Sequence, residues 1–522
     1  MLQAARPDPS TFVARGAMLY AGVNGTSRYV ENPRYKYFQP RLGFAYQLHD
    51  KTVIRGGLGR FVQADFVTGS QTGFSQSTSL TATTNNYESA PTISLENPYP
   101  NGVLQPPGNS QGVLTDVGSV GAFTDPNIGR IYVDAASASV QHQIGSFLLE
   151  VGFTLDKTHG IGMAWEINDP TVTQWHAAYD PQFTSTGAPV LTSAGGTTVT
   201  NPFYQVSGIE TSLSSYTSKT ISAYNLLRPN PLLGNLTETR GTGQITYYAL
   251  NTKVERRFRN GLSLLQAFSW SRQEDADTFF GPQTVKPIVH RELSPHDRRF
   301  HYVLTPVYQL PFGRGKLIGS SVNHLTDELI GGWEITGEYQ FQSGTPIVLP
   351  TNSAFFQGGD PNLGSSKSGK QWFNTSKFVP YPTSSTTQAQ LAAYPGWTGV
   401  QQMPGFNWTP TPTVSGYSKI NNGVYNDFTT RVTYNQDTWG DIREPYVNTF
   451  TLGLRKSFAL VEGAKLQLGI DAFNALNHPQ FGSINVSPTS SGFGAFNGTT
   501  NTSKWVPVNT PRTIQLRARL TF

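Results

Sequence analysis

Hydrophobic and polar residues alternate along the last eleven residues of the chain, 512–522. The intervening polar positions carry threonine, glutamine and two arginines, Arg517 and Arg519. The hydrophobic series is Ile514, Leu516, Ala518, Leu520 and Phe522. A period of two predicts an extended strand with one apolar and one polar face. Its length is that of a tilted transmembrane strand, roughly 9–11 residues.

The two arginines indicate which face of this strand meets lipid. An arginine that faces lipid near the bilayer midplane costs about 2–4 kcal/mol, whereas a watery barrel interior accepts it. Arg517 and Arg519 are therefore predicted to face the lumen. A soluble antiparallel sheet with one wet face produces the same alternation, so this strand alone leaves both architectures open.

The same alternation recurs upstream. In residues 333–342 the polar positions include Glu334 and Glu338, and in residues 465–472 they include Asp471. These three carboxylates are further candidates for the lumen wall. Similar alternation is present in residues 41–48, 149–156 and 449–455. Less regular segments bring the total to about a dozen predicted strands, each a weak prediction by itself. They are residues 12–20, 52–62, 131–143, 244–258, 262–272 and 298–310.

Short and long connections alternate between these strands. The short ones are turns at residues 49–51, 145–146, 259–261 and 461–463. The long ones cover approximately residues 63–129, 165–240, 274–296 and 346–442. Tight periplasmic turns that alternate with long extracellular loops are typical of outer-membrane barrels. The connection 311–330 belongs on the periplasmic side of this scheme but is longer than the other turns.

Composition favours the membrane interpretation. Charged residues make up only 14% of the chain and glycine supplies 52 of the 522 residues, which is unusual for a large soluble α/β core. No apolar run is long enough for a membrane helix, so a spanning chain must form a closed barrel. The sequence thus predicts an all-β antiparallel transmembrane barrel in the outer membrane, in contact with its lipid, with residues 1–522 forming part of it. The first ten residues lack the features of an export signal, so we expect a longer precursor or a different gene start.

The sequence contains few motifs that indicate catalysis or metal binding. There is no cysteine, no zinc-binding HExxH motif, no GxSxG elbow and no phosphate-binding loop before a helix. His290 and His296 lie near Glu292 and Asp297, but a solvated loop explains them better than a metal site. The same holds for the acidic cluster Glu274, Asp275 and Asp277, which lacks calcium-loop spacing.

We therefore expect no enzyme activity, no catalytic residue, no metal and no cofactor. The formal charge is only +5 and no compact cluster of lysine and arginine stands out, so nucleic acid is not an expected partner.

Several short motifs, in this order along the chain, resemble the C-terminal barrel region of TonB-dependent outer-membrane receptors, most closely the Oar-like group. They are residues 40–46, 51–57, 253–258, 260–263, 297–299, 310–316, 331–333, 342–346, 372–375 and 473–482. The resemblance implies a 22-stranded barrel with a plugged lumen, driven through TonB from the inner membrane. It also implies that the terminal Phe522 is a signal read by the barrel-assembly machinery.

The sequence departs from that family pattern, because about a dozen strands do not close a 22-stranded barrel. No plug domain or TonB box precedes them, so the chain is expected to be the C-terminal portion of a transporter, with TonB acting through a plug outside it. A smaller barrel is the less favoured possibility. Two other functions stay open at this point: a non-transporting surface barrel, such as an adhesin or structural protein, and a soluble secreted β-rich binding protein. The sequence does not identify the ligand.

Overall fold

The architecture is described from a computed structural model. The structure describes residues 20–29, 31–63, 74–75, 77–78, 80, 94, 96–106, 108–110, 112, 121–168, 198–206, 217–222, 225–226, 228–231, 233–280, 288–348, 354–356, 360–380, 425–427, 432–434, 438–461, 463–488, 490–496 and 511–522. The predicted strand at 12–20 lies outside these ranges apart from Tyr20, which is not in a strand. Much of the predicted long loops also lies outside them.

Strands dominate the described residues. In chain order they are β1 Arg41–His49, β2 Thr52–Val62, β3 Gly121–Thr124, β4 Tyr132–Ile144, β5 Phe147–Glu166, β6 Thr198–Thr200, β7 Thr220–Ser222, β8 Leu236–Arg259, β9 Leu262–Phe280, β10 Ile288–Leu293, β11 Phe300–Gln309, β12 Trp333–Gln342, β13 Pro346–Val348, β14 Ala354–Phe356, β15 Phe378–Pro380, β16 Tyr425–Asp427, β17 Val432–Tyr434, β18 Thr438–Arg443, β19 Val447–Val461, β20 Ala464–Phe473 and β21 Thr513–Thr521. Helix α1 covers His324–Ile330, and 3-10 turns cover Gly364–Ser366 and Thr375–Lys377. Among the described residues, no helix has the length and hydropathy of a membrane span.

One large sheet contains 13 of these strands. Its path is β1-β2-β4-β5-β8-β9-β11-β12-β19-β20-β21, and each strand in it is antiparallel to the next. Off the path, β10 pairs with β9 and β3 lies parallel to β8. The predicted antiparallel all-β fold is confirmed. The path begins at β1 and ends at β21, each with one neighbour in the described part of the chain.

The connections divide the sheet into two rims. On the tight-turn rim lie the turns at 50–51, 145–146 and 260–261, the short link between β19 and β20, and residues 310–332 between β11 and β12. On the long-loop rim lie the connections after β2, β5, β9, β12 and β20. The predicted alternation of short and long connections is therefore present in the structure. The connection 310–332 is longer than the other connections of the tight-turn rim and contains α1, which the sequence analysis did not predict.

Three strands are longer than predicted. β5, β8 and β9 contain 20, 24 and 19 residues, whereas a bilayer requires roughly 9–11. Their additional residues continue the hydrogen-bonded ladder toward the long-loop rim, where Glu166 pairs with Thr237. In β8 and β9 those extensions are rich in threonine, glycine and charge, so the period-two pattern stops before the strands do, whereas Ile161, Met163 and Trp165 continue the alternation in β5.

Packing places the buried core outside the spanning sheet. The large side chains that are fully buried include Phe203, Phe373 and Ile442, which lie in connections or short strands of the long-loop rim. In the sheet, by contrast, Leu42 and Leu516 are 67% and 75% exposed. Large apolar side chains left uncovered along one side of a sheet are expected where lipid takes the place of a protein core.

Candidate functional site

The two faces of the sheet differ in chemistry. In β12 the side chains of Glu334, Thr336 and Glu338 alternate with those of Ile335 and Tyr339, and the neighbouring strands continue the pattern. On the apolar face the rings of Tyr302, Tyr339 and Phe450 follow one another across three strands, with centroids 6.0 and 6.4 Å apart. We call the opposite side the polar face.

Four charged side chains form a ladder across the polar face. The ladder is Glu334 on β12, Arg455 on β19, Asp471 on β20 and Arg517 on β21. Arg455 lies 3.4 Å from the Glu334 carboxylate and 3.8 Å from that of Asp471. Arg517 lies 3.8 Å from Asp471 on its other side. Signs alternate across four strands, so each charge has an opposite neighbour, and Asp471 is only 15% exposed.

Two glycines make room for the ladder. A Cβ at Gly453 would collide with the Thr336 hydroxyl and come within 2.5 Å of a carboxylate oxygen of Asp471. A Cβ at Gly469 would lie 3.1 Å from Arg517 and 3.5 Å from Arg455. Both glycines lie on the polar face, directly under the charged groups. Their lack of a side chain lets the long arginine stems lie along the sheet.

The residues predicted for the lumen share one face. Register places Glu338 four residues from Glu334 in β12, and Arg519 two residues from Arg517 in β21, which puts each pair on one face. Both side chains are exposed on the polar face, while Glu334, Asp471 and Arg517 are joined in the ladder. Arg455, which links the ladder, was missed, because its partners are defined only once the register of β19 is known. That this face lines the barrel interior stays a prediction, as does the role of Phe522, which is 91% exposed.

Curvature of the sheet brings together polar-face side chains of strands outside the ladder. A concavity of about 890 Å³ lies against β1, β2, β4, β5, β8 and β9, and most of its lining positions belong to the polar face. In it Asn251 donates to Thr154 at 3.3 Å and accepts from Ser269 at 2.7 Å, which links three strands. Nearby Gln141 donates to Glu150 at 2.9 Å. The sheet is therefore concave on its polar side and lined there by small and hydrogen-bonding residues.

A buried ion pair joins several strands and connections of the long-loop rim. Arg443 donates to a carboxylate oxygen of Asp297 at 2.5 Å, and Asp297 is only 2% exposed. The same guanidinium donates to the backbone carbonyls of Asp297, Gly344 and Gly440, each at 3.1 Å. Asp297 also accepts from the backbone of Gln273 at 2.7 Å. This group, which we call the rim clamp, joins β9, β18 and the connections after β10 and β12.

One carboxyl beside the rim clamp has an altered pKa. Burial raises the pKa of Glu444, and the hydrogen bond from Thr345 at 3.1 Å together with the charge of Arg298 opposes this only in part. A buried carboxyl in this setting favours its neutral form.

Three of the carboxylates considered for metal binding have other partners. Glu274 pairs with Arg272 at 2.8 Å, and Asp275 accepts from Ser294 at 2.5 Å. Asp297 belongs to the rim clamp, and the side chains of Asp277 and His290 lie outside the described residues. Within the described part of the chain no group of three or more histidine or carboxylate side chains is arranged to hold a metal ion.

Comparison with known proteins gives a family match. The model of the outer membrane beta barrel domain matches residues 3–515. A comparison with curated proteins finds no match.

The solved structures that resemble this chain are much longer than it. The outer membrane transporter YddB from Escherichia coli has a TM-score of 0.35 and 8% identity, with 90% of this chain and 38% of that one covered. The ferripyoverdine receptor of the Pseudomonas aeruginosa outer membrane has a TM-score of 0.34 and 6% identity, with 92% of this chain and 32% of that one covered. The FrpB iron transporter from Neisseria meningitidis has a TM-score of 0.34 and 6% identity, with 92% of this chain and 39% of that one covered. This chain thus spans less than two fifths of each of these structures.

The family assignment therefore rests on the match to the family model and on the strand pairing. The match covers nearly all of the chain, and the pairing forms one antiparallel sheet with an apolar and a polar face. The chain belongs to the family of outer membrane beta barrel domains and is located in the outer membrane.

Proposed function

We propose that this chain is the barrel region of a TonB-dependent transporter that takes up a ligand across the outer membrane. The observation that supports this most is the polar face, which is concave, lined by hydrogen-bonding side chains and crossed by the ladder. With the apolar face in lipid, that polar face becomes the wall of the barrel interior. Its charges are largely compensated within the wall, so it can contact a plug or a passing polar ligand without a strong field of one sign.

The five lumen candidates have distinct roles in this proposal. Glu334 and Asp471 hold neighbouring strands together through Arg455, and Arg517 does so through Asp471. Glu338 and Arg519 are exposed on the same face and are free to contact a plug domain or a ligand. The protein acts by binding and passage, with no chemical step.

Depletion of ligands from a defined medium tests this function. Cells that carry the complete reading frame are compared with cells that lack it, each with and without TonB. The medium contains ferric siderophores, cobalamin, oligopeptides and oligosaccharides. We expect one class to be depleted only when both the gene and TonB are present. Equal depletion in all four strains would contradict the proposal.

A non-transporting surface barrel is the second candidate. The observation in its favour is the compact aromatic cluster of Phe373, Phe378 and Phe493 in the long-loop rim, with centroids 5.3–6.1 Å apart. Such a cluster gives the rim a firm platform for contact with a partner. An adhesin or structural protein predicts altered surface attachment in the strain that lacks the gene, with no difference in depletion.

A further inference from the structure

Residues 311–332, which we call the rim segment, connect β11 to β12 and are bonded at their C-terminal end to two side chains of the apolar face. In α1, Asn323 accepts from the backbone of Thr326 at 2.9 Å and so caps the helix. Asp327 accepts from the backbone of Arg314 at 2.5 Å, and Ile318 donates to the carbonyl of Pro311 at 2.9 Å. These bonds fold the rim segment into a defined unit.

Two side chains of the apolar face hold the rim segment in place. Trp333 lies on that face, in phase with Ile335 and Tyr339, and its indole donates to the carbonyl of Leu329 at 3.0 Å. Lys456 is directly opposite Trp333 in the register, and its ammonium donates to the carbonyl of Gly331. Since both anchoring side chains point away from the polar face, the C-terminal end of α1 lies on the side of the sheet that meets lipid.

Lys456 has the environment of a lysine at a membrane surface. It is only 6% exposed although it lies on the apolar face, and its ammonium is 5.0 Å from the ring of Phe458 and 5.8 Å from that of Trp333. A lysine stem that runs along apolar surface while its charged end reaches a polar group is typical of the edge of a bilayer. Tryptophan is likewise enriched at that depth.

The rim segment exposes four large apolar side chains, which we call the apolar stripe. Leu325 and Leu329 are four residues apart on one face of α1 and are 79% and 75% exposed. Leu317 and Ile318, in the turn before the helix, are 86% and 51% exposed. The inward positions of the helix differ, since Ile330 packs near Gly319. Four large apolar side chains in one short segment would be costly if they faced water.

We infer that the rim segment is a lipid anchor: its apolar stripe enters the bilayer surface beside the tight-turn rim, and Arg314 and Lys316 contact the phosphates of phospholipid headgroups. Leu329 of the stripe is tied through its backbone carbonyl to Trp333, which belongs to the apolar face. The two basic side chains are exposed and lie next to the stripe in the chain, as in interfacial helices that bind anionic lipid.

Site-specific labelling tests the anchor directly, because the chain has no cysteine. Leu325→Cys and Leu329→Cys are introduced into the protein of the complete reading frame as its only cysteines, labelled with an environment-sensitive fluorophore and folded into vesicles of phosphatidylethanolamine and phosphatidylglycerol. Asp50→Cys, in an exposed tight turn of the same rim, is the matched control. We expect brominated acyl chains to quench the labels at 325 and 329, and aqueous iodide to quench the label at 50.

Two results would overturn the anchor. One is that iodide quenches the labels at 325 and 329 as strongly as the label at 50. The other is that these labels are shielded from both quenchers until the protein is diluted into excess lipid, which would identify a second copy as the occupant of the stripe.

The unmodified chain provides a test that does not depend on the folding of a variant. Vesicles that contain a phospholipid with a photoreactive group near its headgroup should give adducts within residues 314–330. Adducts on Leu516 serve as the positive control for lipid contact. If adducts form on β21 and none form on the rim segment, the anchor is wrong. Neither test depends on ligand uptake, so the anchor and the proposed function can fail separately.

Discussion

Arg455 is the residue on which the ladder most depends, because it pairs with a carboxylate on each side. Replacing it with methionine leaves Glu334 and Asp471 without their shared cation. Each of the three side chains is less than a quarter exposed, so the interaction is screened less than a surface pair. We expect Arg455→Met to destabilise the folded barrel by about 1–2 kcal/mol, measured by urea unfolding in vesicles. A double-mutant cycle with Asp471→Asn isolates the coupling, and strict additivity of the two changes would show that the pair contributes nothing.

Gly453 offers a steric test of the same region. Alanine there places a methyl group against the Asp471 carboxylate and the Thr336 hydroxyl, so one of them must move. The expected cost is about 1–3 kcal/mol in urea unfolding. Gly43→Ala is the control, since its nearest neighbour is a carbonyl oxygen 3.8 Å away. Equal stability of the two variants would be inconsistent with close packing beneath the ladder.

Because of Glu444, the stability of the long-loop rim should depend on pH. Its pKa in the folded protein lies above that of an exposed glutamate because the carboxyl is buried. Folding therefore favours the protonated form. The associated stability is fully present below the pKa of the unfolded chain and is lost as pH rises through the raised pKa.

Glutamine at position 444 stays neutral at every pH, so Glu444→Gln should gain stability over the native protein as pH rises from 4 to 7. Protease resistance of the connection between β12 and β19 is a suitable measurement. Thr345→Val removes a hydrogen bond that opposes the raised pKa, so it should shift the loss of resistance to higher pH. A pH-independent difference between native protein and Glu444→Gln would exclude this role for Glu444.

At the scale of the strand, period-two alternation predicts both the element and its faces. Leu516 lies in the middle of β21 on the apolar face, and its neighbour Gln515 lies on the polar face. Arginine at position 516 should cost about 2–4 kcal/mol if that position meets the lipid midplane. Arginine at position 515 should cost far less. The comparison is made by unfolding in vesicles, and a reversed order of the two costs would mean that the faces have been assigned the wrong way round.

How much of each element was predictable depends on its environment. β12, β20 and β21 alternate cleanly, since one side is apolar throughout and the other polar, and the sequence predicts them nearly to their ends. β3 and β10 were missed because they are short and lie at the long-loop rim, where no lipid imposes a period of two. Helix α1 was missed for a related reason: with two leucines in seven residues it is too short to establish a helical period.

The candidate site was predictable to a similar degree. Alternation alone places Glu334, Asp471 and Arg517 on polar faces of their own strands. It does not say which strands are neighbours, so neither Arg455 nor the contact between Asp297 and Arg443 could be derived. Those pairs connect residues 121 and 146 positions apart in the chain. Only the register of the assembled sheet and the folding of the long connections bring such residues together.

At the scale of the whole molecule, strand direction limits how the sheet can close. Every neighbour in the path is antiparallel and the path has an odd number of strands, so β1 and β21 run in the same direction. Unpaired strand edges are not stable within lipid, so each of these edges must be paired in the membrane. Direct pairing of β1 with β21 would introduce a parallel pair, whereas single-chain bacterial barrels are antiparallel with an even number of strands. We therefore expect an odd number of further strands between these two edges.

A cysteine pair tests this closure. Phe44→Cys in β1 and Leu516→Cys in β21 both lie on the apolar face near the middle of their strands. If further strands intervene, the two thiols are too far apart for a disulfide, which requires Cα atoms within about 7 Å. We expect no intramolecular cross-link under oxidation in vesicles. A pair at Leu454→Cys and Ile470→Cys, which are opposite each other in the register of β19 and β20, shows that oxidation is effective. Efficient cross-linking of positions 44 and 516 within one chain would instead mean that the strands of this sheet close by themselves into a smaller barrel.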